Sequence, residues 1–370
     1  MPMLERLYVN NFRTFQNFEL RTGGLHSALF CGKNGAGKTA LGSVFALFQQ
    51  IGAGKSRVGE LVAPDDFWLR QTALPMRFEL EVRLDGRLFA YTLVLELPER
   101  FRELRVLEES LTVDGTSVYR RRQGAVEVGK GTGPVTLTLD GHFVALPLIQ
   151  VADTDDFETW KTWLRRMLVL APLPASMSGI SSGEASSLEW NAQNFSAWLT
   201  GLLAQDPGAI TTILGALQQM MPDLSTLRNL PAGRDGKSLF VIFKDDNARF
   251  EVPFDALSNG EKCMFLASAI VAANENTGPI FVFWDEIDNY VSLDEVDFFV
   301  RFLRHAFHKG GQIFVTSHDA SAIRAFSREN TFFVARKSHM EPSMLRSFAD
   351  SPPPKGEDVA TAFLEGDLNL

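Results

Sequence analysis

Along the first third of the chain the apolar positions alternate with polar ones more often than they recur at helical spacing. Leu4 to Leu20 reads this way, and Ser27 to Cys31 is a short apolar run that stops at Gly32. A helix is predicted directly after it, because Leu41, Val44, Phe45 and Phe48 repeat at helical spacing. The order is therefore strand, glycine-rich turn, helix. From about Met76 to Phe143 the period falls to two: Arg77 to Leu84, Phe89 to Leu97, Leu111 to Val113 and Val135 to Leu139 read as strands, broken by Asp-Gly turns at Asp85, Asp114 and Asp140. This pattern predicts an antiparallel insert.

Residues from about Asp155 to Met221 read as helical, interrupted from Pro172 to Ser187 by a Pro-, Ser- and Gly-rich stretch expected to be a mobile loop. Two further strands, Lys237 to Phe243 and Ala248 to Val252, lead into Leu257. From there to Lys337 helix and strand alternate, the pattern of a parallel sheet with helices on its faces. The division expected from these changes is 1–150, 151–256 for a helical lobe, 257–340 for the second part of the core, and 341–370 for a tail. Three prolines from Pro352 to Pro354 mark that tail as loosely held or as a docking strap. There is no internal repeat and no sustained heptad.

Composition changes this picture little. At 370 residues and 45% hydrophobic positions the chain can bury one large core or two intimately packed ones. Its 30 Phe against 4 Tyr and 6 Trp indicate core filling, since most of its rings need no polar partner. A net charge of -9 argues against a surface wholly committed to nucleic acid, although a local basic face remains open. Arg100, Arg102 and Arg105, Arg120 to Arg122, and Lys161, Arg165 and Arg166 could line such a face or simply be scattered solvated charges. The two cysteines, Cys31 and Cys263, each sit in an apolar run and supply neither a disulfide framework nor a thiolate metal site. With no apolar signal core near Met1 and no run long enough to span a bilayer, the expectation is a cytoplasmic protein with no membrane partner.

The candidate chemistry lies at the ends of the predicted parallel strands. Gly32, Lys33, Asn34, Gly35, Ala36, Gly37, Lys38 and Thr39 match the phosphate-loop pattern in its required context, after a strand and opening a helix. The glycines let backbone N–H groups curl around phosphates, Lys38 brings a point charge, and Thr39 offers a hydroxyl to Mg²⁺. A partial second copy at Gly52 to Ser56 has Gln49 at its first glycine position and reads as a surface turn. The apolar strand Ile280 to Trp284 ends in Asp285 and Glu286, two carboxylates that are costly there unless a cation waits. In a nucleotide site Asp285 can hold Mg²⁺ through its water shell, and Glu286 can orient and deprotonate the attacking water. Ser258 with Glu261 three residues on is a capping box for the next helix, yet the same geometry turns a hydroxyl and a helix N-terminus outward as an anion site. His318 follows the strand Gln312 to Val315; it is either a polar residue at a sheet edge or a sensor of the γ-phosphate.

In order, Gly32 to Thr39, Leu257 to Lys262, Ile280 to Glu286 and His318 resemble the Walker A, signature, Walker B and switch-histidine series of ABC ATPases. Asn11, Phe12, Arg13 and Phe15, shortly before the phosphate loop, resemble the RecF and SMC branch, and compact ATPases of the AAA_21 and AAA_15 type. The resemblance implies an α/β fold: an ABC-type P-loop ATPase head with an antiparallel β subdomain and a helical lobe. It also implies ATP and Mg²⁺ as ligands, hydrolysis to ADP and phosphate, and an ATP-dependent homodimer in which Ser258 and Gly260 reach the γ-phosphate of the opposite subunit. Asn34, Gly35, Gly37, Lys38 and Thr39 would hold the nucleotide, Arg13 would lie near its phosphates, and Glu286 and His318 would be catalytic. Thr39 and Asp285 would hold the metal.

Three departures from the family pattern stand out. Asn259 occupies a position where the family often has glycine, and Ile287 to Tyr290 is an unusual turn toward the partner. The glutamine that contacts Mg²⁺ in this family is assigned to Gln150, taken to end an apolar strand before the helical lobe, because Gln71 lies too early. Between Thr39 and Ser258 no long coiled-coil arm is expected, and with about fifty residues after His318 the expectation is that no Toprim nuclease domain is attached. Compact ATPases that this chain resembles are often encoded in bacterial antiphage defence loci beside a nuclease or toxin. The expectation is therefore a switch controlling a separate effector, with DNA or RNA as a further partner; the alternative is a RecF-like DNA-repair ATPase.

Overall fold

A computed structural model describes residues 1–122, 124–129, 135–150, 155–233, 236–326 and 328–350. The proline-marked end of the tail, from 351 onward, lies outside them. In chain order, β1 (Met3–Asn10) and β2 (Phe18–Arg21) precede β3 (Ser27–Cys31), α1 (Lys38–Gly52) and the one-turn α2 (Val58–Leu61). Six strands follow: β4 (Met76–Leu84), β5 (Arg87–Glu96), β6 (Arg105–Val113), β7 (Thr116–Arg122), β8 (Ala125–Val128) and β9 (Val135–Thr138). The middle of the chain carries α3 (Asp155–Arg165), β10 (Leu168–Leu170), β11 (Ile180–Ser181), α4 (Phe195–Gln205), α5 (Ala209–Met220), β12 (Leu224–Ala232), β13 (Gly236–Lys244) and β14 (Arg249–Pro253). The last part carries α6 (Asn259–Asn276), β15 (Phe281–Trp284), α7 (Leu293–His308), β16 (Gln312–Ser317), α8 (Ala320–Ala325), β17 (Thr331–Ala335) and β18 (Met344–Ser347).

These strands make three sheets. The first is antiparallel with order β2-β1-β4-β5-β6-β7-β8-β9, the second has order β10-β15-β16-β3-β17-β18, and a small third sheet joins β11, β13, β12 and β14. In the second sheet every pairing is parallel except β17 with β18. It therefore gathers strands from the beginning, middle and end of the chain into one layer. Helix α1 packs its apolar stripe on this layer: Phe45 meets Phe281, Phe283 and Phe314 with ring centroids 4.8, 5.4 and 6.4 Å away. Two buried clusters result, one reaching from α1 into the antiparallel sheet and one under α4 to α7. No helix among the described residues is long and apolar enough to cross a membrane.

The antiparallel insert and the alternating C-terminal region match the periodicity, but other stretches differ from it, among them Leu224–Ala232, where β12 forms a nine-residue strand that the sequence reading does not include. The segment read as continuous helix contains β10, three residues whose pairing with β15 is invisible to local spacing. The stretch from Pro172 to Ser187 is tied down by Leu173 N to Asn191 O at 3.0 Å, Ala185 N to Ala197 O at 3.0 Å and Leu239 N to Gly179 O at 2.8 Å, instead of hanging free. Asp140 closes no hairpin; its carboxylate accepts from His142 N at 2.8 Å in the link that leaves the antiparallel sheet.

That link is fastened by a buried polar network. Glu109, fully buried, accepts from Tyr91 OH at 3.0 Å, Tyr119 OH at 2.6 Å, Ala145 N at 2.7 Å and Leu146 N at 2.9 Å. Burial pushes the Glu109 carboxyl above its ordinary range despite these donors. Arg121, also fully buried, donates to the carbonyls of Leu139, Asp140 and Phe143.

Candidate functional site

Every parallel strand ends at the same edge of the second sheet, where ligands of such folds bind. The register aligns Leu170, Trp284 and Val315 on β10, β15 and β16, and places Ser317 beside Cys31 at the end of β3. The phosphate loop and the carboxylate pair thus leave β3 and β15, the two strands that flank β16. The sequence separation of 246 residues between Thr39 and Asp285 collapses to one hydrogen bond, Thr39 Oγ1 to Asp285 Oδ2 at 2.7 Å.

The loop's shape follows from its glycines at two positions. Gly32 abuts the carbonyl of Val334, so no side chain fits. Gly37 has φ 112°, and a Cβ there would lie 2.7 Å from both Ser343 Oγ and Thr14 Oγ1. Lys33, Asn34 and Gly35 are exposed at the tip, whereas Lys38 is buried and folds back to donate to Gly32 O at 2.6 Å. A lysine held on backbone carbonyls at the mouth of a cradle of N–H groups is poised to exchange those contacts for phosphate oxygens.

Asp285 is 4% exposed and receives a second hydrogen bond, from Thr316 Oγ1 at 2.6 Å. Burial raises its carboxyl above the usual range, while Thr316, Thr39 and Lys38 oppose that shift. The same Thr316 hydroxyl accepts from Glu286 N at 2.7 Å, and Asn289 Nδ2 donates to Glu286 Oε2 at 2.5 Å. Glu286 itself has φ 54°, in the left-handed region that a glutamate seldom adopts. Backbone strain at a half-buried acid, fixed from both ends, suits a residue whose direction matters. Motif reading missed the part played by Thr316; only the β15–β16 pairing reveals it.

A hard cation fits this donor set. A hydroxyl and a buried carboxylate face one another, and oxygen ligands of this kind hold Mg²⁺ together with phosphate oxygens and water. Among the described residues no group of three or more His, Cys, Asp or Glu is arranged to hold a metal.

The structure places the other candidates as follows. His318 is 54% exposed at the end of β16, with Nδ1 3.6 Å from Asp288 Oδ2; Asp288 is 7% exposed and its Oδ1 has no partner. Arg13 donates to Asp66 Oδ1 at 2.8 Å and to Ser43 Oγ, one turn beyond Thr39 on α1. Ser258 is the N-cap of α6: its Oγ accepts from Glu261 N at 3.2 Å and Glu261 Oε2 accepts from Ser258 N at 2.7 Å. The capping box is therefore real, and the exposed hydroxyl still stands at a helix N-terminus. Gly260 packs against the turn after Glu286, where a Cβ would come 3.1 Å from Tyr290 O.

Gln150 does not end a strand. Residues 139–150 form turns and irregular backbone, and Gln150 is exposed at their end. The strand that lies beside the carboxylates from this part of the chain is β10, whose Leu170 O accepts from Asp285 N at 2.7 Å. The run after it, Ala171 to Met177, contains no glutamine. Several of the basic residues are spent internally: Arg121 is buried, Arg166 donates to Thr277 O at 2.7 Å and Gly278 O at 2.6 Å, Arg105 pairs with Glu96 at 2.7 Å, and Lys161 donates to Ile149 O at 2.7 Å.

Residues 168–324 match the AAA_21 family, described as "AAA domain, putative AbiEii toxin, Type IV TA system". No curated protein matches the chain in sequence. Among solved structures, the chain is similar to an SMC head bound to the C-winged helix domain of ScpA, at 12% identity over 94% of this chain and 99% of that one, with a TM-score of 0.62. It is also similar to an Smc head with an extended coiled coil, bound to the C-terminal domain of ScpA derived from Pyrococcus furiosus, at 12% identity over 99% and 100% of the two chains and a TM-score of 0.60. The fold is accordingly that of the SMC head domains, a mixed α/β architecture with antiparallel and parallel sheets.

Proposed function

We propose that this protein binds and hydrolyses ATP and that two copies close around the nucleotides, the closed dimer acting as a switch on a separate effector protein. One observation carries the reading: Thr39, Asp285, Thr316 and Glu286 form a continuous hydrogen-bonded chain at the ends of neighbouring parallel strands, directly beside the phosphate loop. Lys38 and the loop amides bind the phosphates, and Thr39 and Asp285 hold Mg²⁺, which when bound neutralises phosphate charge. Glu286, aimed by Thr316 and Asn289, takes a proton from the attacking water. His318, steadied by Asp288, faces the same edge and donates to the γ-phosphate. The outward-facing Ser258 and the N-terminus of α6 supply the opposite subunit's half of the site.

Two findings support a protein effector. The matching family's description names a putative toxin of a toxin–antitoxin system, and both solved heads carry a protein partner. An antiphage role is the biological setting this reading favours. Internal pairing of Arg105, Arg121, Lys161 and Arg166 leaves Arg100, Arg102, Arg120, Arg122 and Arg165 exposed, fewer than the sequence offers, which weakens the RecF-like DNA-repair alternative. The test compares the parent with Lys38→Ala and Glu286→Gln in ATP binding, phosphate release and gel filtration. Lys38→Ala should lose binding; Glu286→Gln should bind, stall and accumulate as a dimer. ATP affinity retained in Lys38→Ala, or a parental hydrolysis rate in Glu286→Gln, overturns the assignment.

A further inference from the structure

Arg336 directly follows β17, the strand that pairs with β3 on the side away from β16. A Cβ built on Gly35 would lie 3.5 Å from Arg336 Nη2, so the guanidinium stands beside the exposed tip of the phosphate loop. The chain around it is fixed against the loop. Val334 O closes on Gly32, Ser343 Oγ donates to Ala36 O at 2.5 Å, and Ser343 N donates to Thr14 O at 2.7 Å.

Other half-buried arginines of this protein use their donors. Arg6 binds Glu79 and Glu81, Arg166 binds the carbonyls of Thr277 and Gly278, and Arg304 binds Ser27 Oγ. Arg336 is also half-buried, yet among the described residues it makes no hydrogen bond or ion pair. Partial burial of a charge without a counter-charge is costly, and a guanidinium presents a fork of donors that matches phosphate oxygens. Thr14, between β1 and β2, places a second unfilled group against the same loop: its Oγ1 is buried, has no partner, and lies 2.7 Å from where a Cβ on Gly37 would be.

We propose that Arg336 is a nucleotide-binding residue, donating to the phosphate tail of a nucleoside di- or triphosphate held by the loop and adding a fixed cation to that of Lys38. The inference rests on the nucleotide reading of the loop and extends it to a residue outside all four motifs. Because Arg336 Nη2 stands beside Gly35 of the loop, the contact expected is with phosphate oxygens.

The test is equilibrium binding of a non-hydrolysable ATP analogue, ADP and adenosine to the parent, Arg336→Gln, Arg336→Lys and Lys38→Ala, each with a thermal melt. Arg336→Gln should bind the analogue about 10- to 100-fold more weakly at an unchanged melting temperature, the loss typical of one charge-assisted contact. Arg336→Lys should recover part of that loss, and the weak affinity for adenosine should not move. Parental analogue affinity in Arg336→Gln, with binding abolished in Lys38→Ala, overturns this inference and leaves the nucleotide site standing. A lowered melting temperature in both Arg336 variants, with affinity lost for adenosine as well, overturns it in favour of a structural role. No binding by the parent overturns the nucleotide reading and this one together.

Discussion

Replacing Thr316 with valine keeps the volume and branching of the side chain and removes only its hydroxyl. That hydroxyl is buried, donates to Asp285 at 2.6 Å and accepts from Glu286 N at 2.7 Å. Valine abolishes both bonds and leaves the Glu286 N–H without its acceptor. Two bonds at about 1 kcal/mol each, plus an orphaned group at about 1–3 kcal/mol, amount to roughly 2–4 kcal/mol once their overlap is allowed for. Glu286, at φ 54°, already bears backbone strain on the order of 1 kcal/mol or more, so it gains by relaxing when the bond is gone. If about half of the loss appears as misdirection of the carboxylate, turnover falls about 5- to 30-fold, at about 1.36 kcal/mol per decade. ATP affinity should change far less, because Lys38 and the loop amides keep their geometry. Steady-state phosphate release, analogue binding and a thermal melt measure the three quantities. Thr316→Ser, which restores the hydroxyl, should recover most of the rate. A parental turnover number in a well-folded Thr316→Val protein would refute the idea that this hydroxyl aims Glu286.

Asp285→Asn should stabilise the nucleotide-free protein at neutral pH while abolishing the Mg²⁺-dependent gain in ATP affinity. Burial raises the Asp285 carboxyl in the folded state, so the folded protein holds its proton more tightly, and stability declines as pH rises from the ordinary carboxylate value through the raised one. The melting advantage of the asparagine variant should therefore vanish toward acid pH, and an equal advantage at every pH contradicts the assignment. For the composite site, Ser258→Arg should block closure and hydrolysis but spare ATP binding by its own loop. Mixed with Lys38→Ala it should regain activity in the heterodimer, and a heterodimer no more active than either variant would reduce Ser258 to a helix cap.

The parts of the fold that sequence spacing reveals are those whose pattern is long enough to repeat. Strands β4 and β5, at nine and ten residues, alternate buried and exposed positions around the Asp85-Gly86 turn, and periodicity finds both. Strand β10 has three buried residues and no period at all; what makes it a strand is parallel pairing with β15, whose partners lie more than a hundred residues away. The Pro172–Ser187 stretch is legible in part. Its composition is that of a loop, which it largely is, but composition says nothing about the backbone groups of Asn191, Ala197 and Leu239 that receive it. Arg121 sits between two other arginines and looks like part of a basic surface, yet strand alternation turns it inward to the carbonyls of the 139–143 link.

The site divides along the same line, and the reason is chemical. A phosphate loop is legible because one backbone conformation must be encoded locally, so Gly32, Gly37, Lys38 and Thr39 carry it at fixed spacing. The carboxylate pair is legible because charge at the end of an apolar strand is exceptional. Thr316 and Arg336 carry no such local mark: a threonine in a strand and an arginine after one are both ordinary. Their roles arise from register, β15 against β16 setting Thr316 beside Asp285 and β17 against β3 setting Arg336 beside Gly35. Gln150 shows the converse: its chain position suggests a strand end, but it is exposed on irregular backbone, and the strand that flanks β15 is β10. A motif fixes what must be covalently close. What must be close only in space is fixed by strand order, and in this sheet the order β10-β15-β16-β3-β17 is what brings a hydroxyl, two carboxylates, a lysine and an arginine to one edge.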